Sequence, residues 1–194
     1  MFEPGIKTRE KNIEYRSREY LTPEEVKRLI QAAGLRGRHP VRDQAIVLLS
    51  FRHGLRAGEA ATLKWDAVMD KSIYIQRLKG SVSGSHPLQP DELELLQELR
   101  ERYPDSRYLF PNERGEHISQ GAITKMLERA GKLAELPMAI HPHMLRHSCG
   151  YYLAELGMPT RDIQEYLGHR QIQNTVRYTA GNPARFNKIQ WEMV

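Results

Sequence analysis

The sequence predicts a mainly α-helical domain with one small antiparallel β-sheet near residues 71–88. Two patterns lead to this fold class. Apolar residues recur at helical spacing between capping, proline and glycine signals, and one β-prone stretch contains a loop rich in glycine and serine. With 194 residues, of which 40% are hydrophobic and 27% charged, the composition is that of one globular domain with short appendages.

Local signals indicate where the helices begin and end. Thr22 and Glu25 form a capping box, and Pro23 between them suits the first helical position. An apolar stripe that starts with Val26 and Leu29 continues this helix. The same reasoning predicts further helices over residues 40–53, which Gly54 ends, over residues 90–103, after Ser119, and over residues 142–157, 160–168 and 171–179.

The β-sheet is predicted by a change of pattern after residue 70. Ile73, Tyr74 and Ile75 are β-prone, a loop of glycine and serine occupies residues 80–85, and a second short segment follows at residues 86–88. A hairpin is expected here. The folded domain is predicted over residues 21–181, between a basic, mobile arm at residues 1–20 and a short tail at residues 182–194.

Composition favours some partners and excludes others. The net charge of +5 and the pI of about 9.3 favour a polyanion such as nucleic acid. Cys149 is the only cysteine, so no intramolecular disulfide forms. The longest apolar run, residues 45–49, is far below the roughly 20 residues of a membrane span. No signal peptide is recognised, and a cytoplasmic protein without a membrane partner is expected.

Residues 141–147 are dense in groups that bind or protonate a phosphate. His143 and Arg146 are three residues apart, so one helical face places an imidazole and a guanidinium near each other. A metal site is the alternative, because His143 and His147 have the spacing of zinc-binding helices. Met144 stands where such helices carry glutamate, which disfavours a metal.

Similar groups recur beside other turn signals. Arg56 follows a buried helix and precedes Glu59, and an arginine fork grips two phosphate oxygens at once. His169 follows the glycine at a helix end, and Tyr178 lies nine residues further along. Each residue alone has an ordinary interpretation: a solvated surface arginine, a structural histidine, or a tyrosine that only packs.

In combination, these residues resemble the signature of the tyrosine recombinases, also called the phage integrase family. That signature is an arginine with a nearby acid, a hairpin lysine, H-x-x-R, a histidine and a tyrosine. The matching positions, in order, are Arg56, Glu59, Lys79, His143, Arg146, His169 and Tyr178. The resemblance covers residues 22–180 and is greatest to the short invertases that switch fimbrial genes, through residues 77–79, 85–88, 140–150 and 178–180.

The resemblance implies a catalytic domain without the N-terminal core-binding domain that most members carry. It also implies that Tyr178 attacks a DNA phosphate and forms a 3′-phosphotyrosyl bond, which stores the energy for rejoining. Arg56 and Arg146 would stabilise the phosphate charge in place of a metal ion. Neither a cofactor nor a metal is therefore expected.

The remaining matches imply roles in proton transfer and positioning. Lys79 would protonate the leaving 5′ oxygen, and His143 would handle the tyrosine proton. His169 would hydrogen-bond the phosphate, and Glu59 would orient its neighbours.

The implied function is inversion of a promoter segment that controls fimbrial or other surface genes. The expected partner is double-stranded DNA with inverted-repeat sites in the bacterial nucleoid, bound by a homotetramer that is monomeric when free and helped by DNA-bending host proteins. Two alternatives stay open: a catalytically inactive DNA-binding regulator of the same fold, and DNA relaxation like that of a type IB topoisomerase.

Overall fold

The computed structural model describes residues 18–78 and 80–180. Within this part of the chain, eight α-helices and a three-stranded antiparallel sheet confirm the predicted fold class. The helices are α1 (Pro23–Leu35), α2 (Pro40–Arg52), α3 (Ala57–Thr62), α4 (Pro90–Arg102), α5 (Gln120–Leu133), α6 (Pro142–Glu155), α7 (Thr160–Leu167) and α8 (Gln173–Thr179). The strands are β1 (Val68–Met69), β2 (Ser72–Ile75) and β3 (Gly84–Pro87).

The capping box predicted at the start of α1 is present. The hydroxyl of Thr22 accepts a hydrogen bond from the amide of Glu25 at 3.3 Å, and the Glu25 carboxylate accepts one from the amide of Thr22 at 2.8 Å. These bonds satisfy N–H groups that a first helical turn cannot pair internally. The apolar face of α1, which includes Val26 and Leu29, packs against α2.

Helix α2 forms the centre of the main hydrophobic core. Ile46 and Leu49 are fully buried, and the helix contacts α1, α4 and α6. A helix that is apolar on most sides is stable only when other elements enclose it. It ends at Arg52, one residue before the predicted end, and Gly54 then leads the chain to Arg56.

The sequence does not predict two short elements, α3 and β1. They have six and two residues, which is too short for a hydrophobic period to be recognised. Strand β1 adds an edge to the predicted hairpin by placing Val68 opposite Ile73. The hairpin itself is confirmed, with Ile73 opposite His86.

The C-terminal helices form a second, smaller hydrophobic cluster. Cys149 of α6, Ile163 and Leu167 of α7 and Tyr178 of α8 are buried together. Helix α8 has only seven residues, and a helix of that length is not stable in isolation. Packing against α6 and α7 therefore determines where Tyr178 lies.

Residues 18–20, the last of the predicted arm, contact the C-terminal helices. Glu19 pairs with Arg177 at 3.6 Å, and the Tyr20 ring stacks on Tyr151 with centroids 4.0 Å apart. The rest of the predicted arm, the predicted tail and Lys79 lie outside the described residues. Within residues 18–78 and 80–180, no helix is both long and apolar enough to cross a membrane.

Candidate active site

Four of the predicted site residues come together where several helix ends meet. Arg56 caps the N-terminus of α3, Arg146 lies in α6, His169 follows α7, and Tyr178 lies in α8. The charges of Arg146 and Arg56 both act on His169, whose ring stacks on that of Tyr178 with centroids 6.3 Å apart. The site is thus assembled by tertiary packing from segments that are distant in the sequence.

Glu59 organises the arginine side of the site. Its carboxylate accepts a hydrogen bond from Arg56 at 2.6 Å, from Arg77 at 2.8 Å and from the amide of Leu78 at 3.2 Å. Burial alone would raise the pKa of Glu59, but the hydrogen bonds from Arg56 and the charge of Arg77 outweigh it, so the pKa is lowered. Glu59 is therefore an anion that holds two guanidinium groups in place.

Arg146 is held by backbone carbonyl groups. One Nη atom donates to Gly54 O at 2.5 Å and the other to Leu167 O at 2.6 Å, which links α6 to the chain after α2 and to the end of α7. Burial, together with the charges of Arg77 and Arg56, lowers the pKa of Arg146 to about 10. The group is still charged at neutral pH. A bound phosphate would relieve the repulsion among these cations.

Arg77 is a component of the site that the sequence prediction missed. It is only 6% exposed and donates to the Glu59 carboxylate and to the carbonyl groups of His53, Gly54 and Tyr166, at distances of 2.8–3.0 Å. In the sequence it stands out only within residues 77–79, as part of the fimbrial resemblance. Two guanidinium groups thus bond to one carboxylate, and the charge of a third, that of Arg146, also interacts with it. The excess of positive charge suits an anion.

His169 is fixed by the helix that carries Tyr178. Its Nδ1 atom lies 2.9 Å from the hydroxyl of Thr175, which is fully buried in α8. Burial and the charges of Arg146 and Arg56 lower the pKa of His169 to about 4. The imidazole is therefore neutral at pH 7, and it can hydrogen-bond a phosphate without carrying a charge of its own.

Tyr178 is almost completely enclosed, with 3% of its surface exposed. The rings of Tyr151 and Tyr178 pack nearly perpendicular to each other, with centroids 5.1 Å apart. The Tyr178 hydroxyl lies 3.0 Å from Nδ1 of His147. Burial raises the pKa of Tyr178, although the charges of Arg146 and Arg177 oppose this effect.

His147 is the second contact residue that the sequence prediction missed. Its spacing from His143 indicates only a possible metal ligand, and the signal that points to the site is its position directly after Arg146. The rings of His143 and His147 are 6.4 Å apart. Among the described residues, no three His, Cys, Asp or Glu side chains come together in a way that would hold a metal ion.

The hairpin loop is anchored over the arginines from two sides. Ser81 Oγ accepts a hydrogen bond from Arg56 at 3.1 Å, and the amide of Val82 donates to Gly168 O at 3.1 Å. Gly168 has a φ of +70°, and a Cβ atom there would collide with Val82 O. Glycine at the end of α7 thus lets the hairpin approach the site.

Comparison with known proteins identifies the family. The model described as "Phage integrase family" matches residues 19–185. The chain belongs to the phage integrase family. Type 1 fimbriae regulatory protein FimB of Escherichia coli strain K12 is 41% identical to this tyrosine recombinase over 184 residues, which cover 91% of each protein.

Solved structures agree with this assignment. The crystal structure of XerA recombinase superimposes with a TM-score of 0.75 at 28% identity, over 87% of this chain and 62% of that chain. XerH site-specific recombinase bound to difH substrate gives a TM-score of 0.73 at 26% identity, over 88% and 53%. This tyrosine recombinase thus spans between half and two thirds of the length of each of these structures.

The predicted site residues of this tyrosine recombinase do not all lie in the same part of the structure. Those that lie in one cluster of contacts and charges are Arg56, Glu59, Arg146, His169 and Tyr178. His143 is in the first turn of α6 with an exposed side chain. Lys79 lies outside the described residues, between two that are described, Leu78 and Gly80.

Proposed function

We propose that this chain is a site-specific DNA recombinase that breaks and rejoins DNA through a 3′-phosphotyrosyl intermediate on Tyr178. The observation that carries the proposal is that the rings of Tyr178 and His169 lie together, with centroids 6.3 Å apart, where the charge of Arg146 acts on both. A candidate nucleophile and a group that binds anions therefore share one site. Phosphoryl transfer needs this combination, because its transition state carries negative charge beside the attacking oxygen.

In the proposed mechanism, Arg56 and Arg146 bind the nonbridging oxygens of the scissile phosphate. A guanidinium has five N–H donors, so the bonds of Arg146 to Gly54 and Leu167 leave donors for a phosphate. The half-buried Arg56 is oriented by Glu59 and Ser81. Both groups are positioned before DNA binds, so little free energy is spent on ordering them.

Other residues are proposed to move protons and position groups. Lys79, two residues before Ser81 in the sequence, protonates the leaving 5′ oxygen. His169 hydrogen-bonds the phosphate, and Glu59 holds the arginines. His143, exposed on the first turn of α6, is assigned to exchange of the tyrosine proton when DNA is bound. None of these steps uses a cofactor or a metal ion.

The proposed substrate is double-stranded DNA with inverted-repeat sites, in the cytoplasm and nucleoid of a bacterium. Recombination between inverted repeats would turn a promoter segment around and switch fimbrial or other surface genes. Two observations support this: FimB is a type 1 fimbriae regulatory protein that is similar over nearly its whole length, and the XerH structure is a complex with its difH substrate.

The active assembly is proposed to be a homotetramer on two synapsed sites, formed from free monomers. Each protomer binds one half-site, mainly through phosphate contacts whose strength falls with salt concentration. A protomer bound to one half-site raises the effective concentration of its neighbour at the adjacent half-site, so the two protomers bind the full site more tightly than either binds alone. Host proteins that bend DNA would bring the distant sites together.

The test uses a suicide DNA substrate made from inverted repeats found by sequencing DNA that flanks the gene. A nick beside the cleavage position lets the short product diffuse away, so a covalent protein–DNA adduct accumulates on a denaturing gel. We expect an adduct with the unchanged chain in excess EDTA, and none with Tyr178→Phe. A Phe variant that still forms the adduct would contradict the role of Tyr178.

Other outcomes identify the alternatives. Site-specific binding without an adduct would indicate an inactive DNA-binding regulator. Relaxation of any supercoiled plasmid, with or without the repeats, would indicate activity like that of a type IB topoisomerase. Loss of the adduct in EDTA and its return with zinc or magnesium would support a metal site at His143 and His147.

A further inference from the structure

The segment before α1 packs against a helix that lines the candidate nucleophile. Tyr20 lies in this segment, and its ring stacks on Tyr151 of α6 with centroids 4.0 Å apart and 30° between the ring planes. The ring of Tyr151 in turn packs nearly perpendicular to that of Tyr178, with centroids 5.1 Å apart. Three aromatic rings thus connect the segment before α1 to the proposed nucleophile.

Other contacts hold this segment in place. The amide of Leu21 donates to Ser148 Oγ at 2.8 Å, and both residues are buried. Ser148 lies in α6, three residues before the tyrosine on which Tyr20 stacks, so the two contacts are neighbours on that helix. Arg18 bonds the carboxylate of Glu25 in α1 at 2.5 and 2.7 Å, and its guanidinium lies 5.5 Å from the centre of the Tyr20 ring. Contacts to both α1 and α6 therefore fix the position of Tyr20.

Tyr178 depends on its neighbours for its orientation. A tyrosine ring turns about two side-chain torsions, so the groups packed around it decide where its hydroxyl lies. Tyr151, which is only partly buried, is one of these groups. Without Tyr20 the Tyr151 ring loses a stacking partner and gains freedom to turn, and Tyr178 then loses a fixed neighbour.

The second link between the segment and α8 is weaker. Glu19 pairs with Arg177 at 3.6 Å, but about half of each side chain is exposed, and exposed ion pairs contribute little. The guanidinium of Arg177 lies 5.9 Å from the centre of the Tyr178 ring. The stack of Tyr20 on Tyr151 is therefore the contact expected to matter for the nucleophile.

We propose that Tyr20 is a positioning residue for the nucleophile. Through Tyr151 it holds the hydroxyl of Tyr178 where this group attacks the DNA phosphate. The inference rests on the proposed function. A displacement of about 1 Å in a reacting group can slow a reaction on the order of 100-fold, so loss of the stack should slow cleavage without weakening DNA binding.

The first test needs no DNA. Carbon NMR of protein labelled with ¹³C in its tyrosine rings reports the surroundings of each ring, and the Tyr178 signals are those missing from Tyr178→Phe. We expect these signals to shift in Tyr20→Ala and to stay near their original positions in Tyr20→Phe, which retains the ring. Tyr74→Ala removes an exposed tyrosine of β2 and is the matched control. Unchanged Tyr178 signals in Tyr20→Ala would overturn the inference.

The second test separates cleavage from binding. Single-turnover cleavage of the suicide substrate at saturating DNA should be about 10-fold or more slower in Tyr20→Ala, with a Kd for the site within about twofold of that of the unchanged chain. Tyr20→Phe should cleave within about twofold of the unchanged chain, because the stacked ring is kept. Glu19→Gln should also stay within about twofold, because the pair that it removes is exposed.

A double-mutant cycle tests whether Tyr20 acts through Tyr151. Tyr151→Leu alone should slow cleavage, and adding Tyr20→Ala should slow it by much less than in the unchanged background. Two effects that simply multiply would show that Tyr20 does not act through Tyr151, and the inference would be wrong.

The remaining outcomes distinguish the inference from the proposed function. Weaker DNA binding by Tyr20→Ala with an unchanged rate at saturating DNA would identify Tyr20 as a DNA contact and overturn its positioning role alone. No adduct from the unchanged chain would overturn the recombinase function, while the NMR signals would still decide whether Tyr20 positions the Tyr178 ring. Thermal unfolding shows whether each variant is folded. If Tyr20→Ala does not fold, Tyr20→Leu, which retains an apolar side chain but no ring, takes its place in each comparison.

Discussion

The ring of Tyr178 packs directly on the backbone of Gly150. A Cβ atom at Gly150 would lie 2.6 Å from Cε2 of Tyr178 and 2.7 Å from Cζ. Carbon atoms that are not bonded to each other do not approach so closely, so any larger residue at this position would displace the ring. Gly150 lies in the middle of α6, where glycine weakens a helix, and the close approach of Tyr178 explains its presence.

Gly150→Ala is therefore expected to impair the nucleophile more than the fold. The added methyl group pushes the Tyr178 ring from its position, and overpacking of this kind costs about 1–3 kcal/mol of stability. We expect adduct formation to fall by about 10-fold or more while DNA binding is retained. Gly121→Ala in α5 is the control, because a Cβ atom there meets no other group within 4 Å. Equal adduct yields from both variants would contradict the prediction.

Thr175→Val tests whether the orientation of His169 matters. Valine has nearly the same shape as threonine but lacks the hydroxyl that lies 2.9 Å from Nδ1 of His169. Because Thr175 is fully buried, water cannot replace the lost partner, and a cost of about 1–3 kcal/mol is expected. Single-turnover cleavage should slow by about 10-fold or more. Thr124→Val in α5, whose hydroxyl bonds only its own helix, is the comparison. A cleavage rate within twofold of that of the unchanged chain would show that His169 needs no partner.

Arg77→Met is expected to be among the most destabilising substitutions in the site. It leaves the buried Glu59 without one of its two cations and removes a donor from the carbonyl groups of His53, Gly54 and Tyr166. Of these, Gly54 keeps its bond from Arg146. Breaking a buried ion pair costs about 3–5 kcal/mol, which urea unfolding at pH 7 would measure. Adding Glu59→Gln should cost less than the sum of the two single effects. Arg102→Met removes an exposed pair with Glu98, and its effect should stay below about 1 kcal/mol.

The protein is expected to lose stability in mild acid through His86. Burial, with the charges of His53 and Arg77, lowers the pKa of His86 to about 3, from about 6.5 in an unfolded chain. Between these values the unfolded state binds the proton and the folded state does not, so the free energy of unfolding falls as pH falls below about 6.5. The contribution approaches 1.4 kcal/mol per pH unit.

Urea unfolding at pH 7 and pH 5 would measure this effect. His86→Gln should reduce the difference between the two pH values, even if the variant is less stable at both. His147 and His169, whose pKa values are lowered to about 4 mainly by burial, contribute in the same direction and keep some of the slope. An unchanged pH difference in the variant would show that other groups cause the loss.

Much of the fold follows from short-range signals in the sequence. The capping box of Thr22 and Glu25, the proline that begins α2 and the glycine that follows α7 act within a few residues, so they indicate helix ends without knowledge of tertiary packing. Elements α3 and β1 were missed because they hold too few residues to show a period. They form where neighbouring elements provide partners.

The sequence by itself determined which chemical groups are present and in what order: the arginines, the histidines and the tyrosine of a phosphoryl-transfer site. Only the tertiary structure decided which of them are in contact. Residues 31 positions apart form the bond from His147 to Tyr178, and residues 92 positions apart form the bond from Arg146 to Gly54. The spacing of apolar residues predicts single helices and strands, and it does not predict contacts between residues so far apart in the sequence. The packing of α6 against α8 places His147 on the tyrosine. Arg77 is buried beside Glu59 with carbonyl groups of His53, Gly54 and Tyr166 as its other partners, because buried polar groups must find partners in the folded chain.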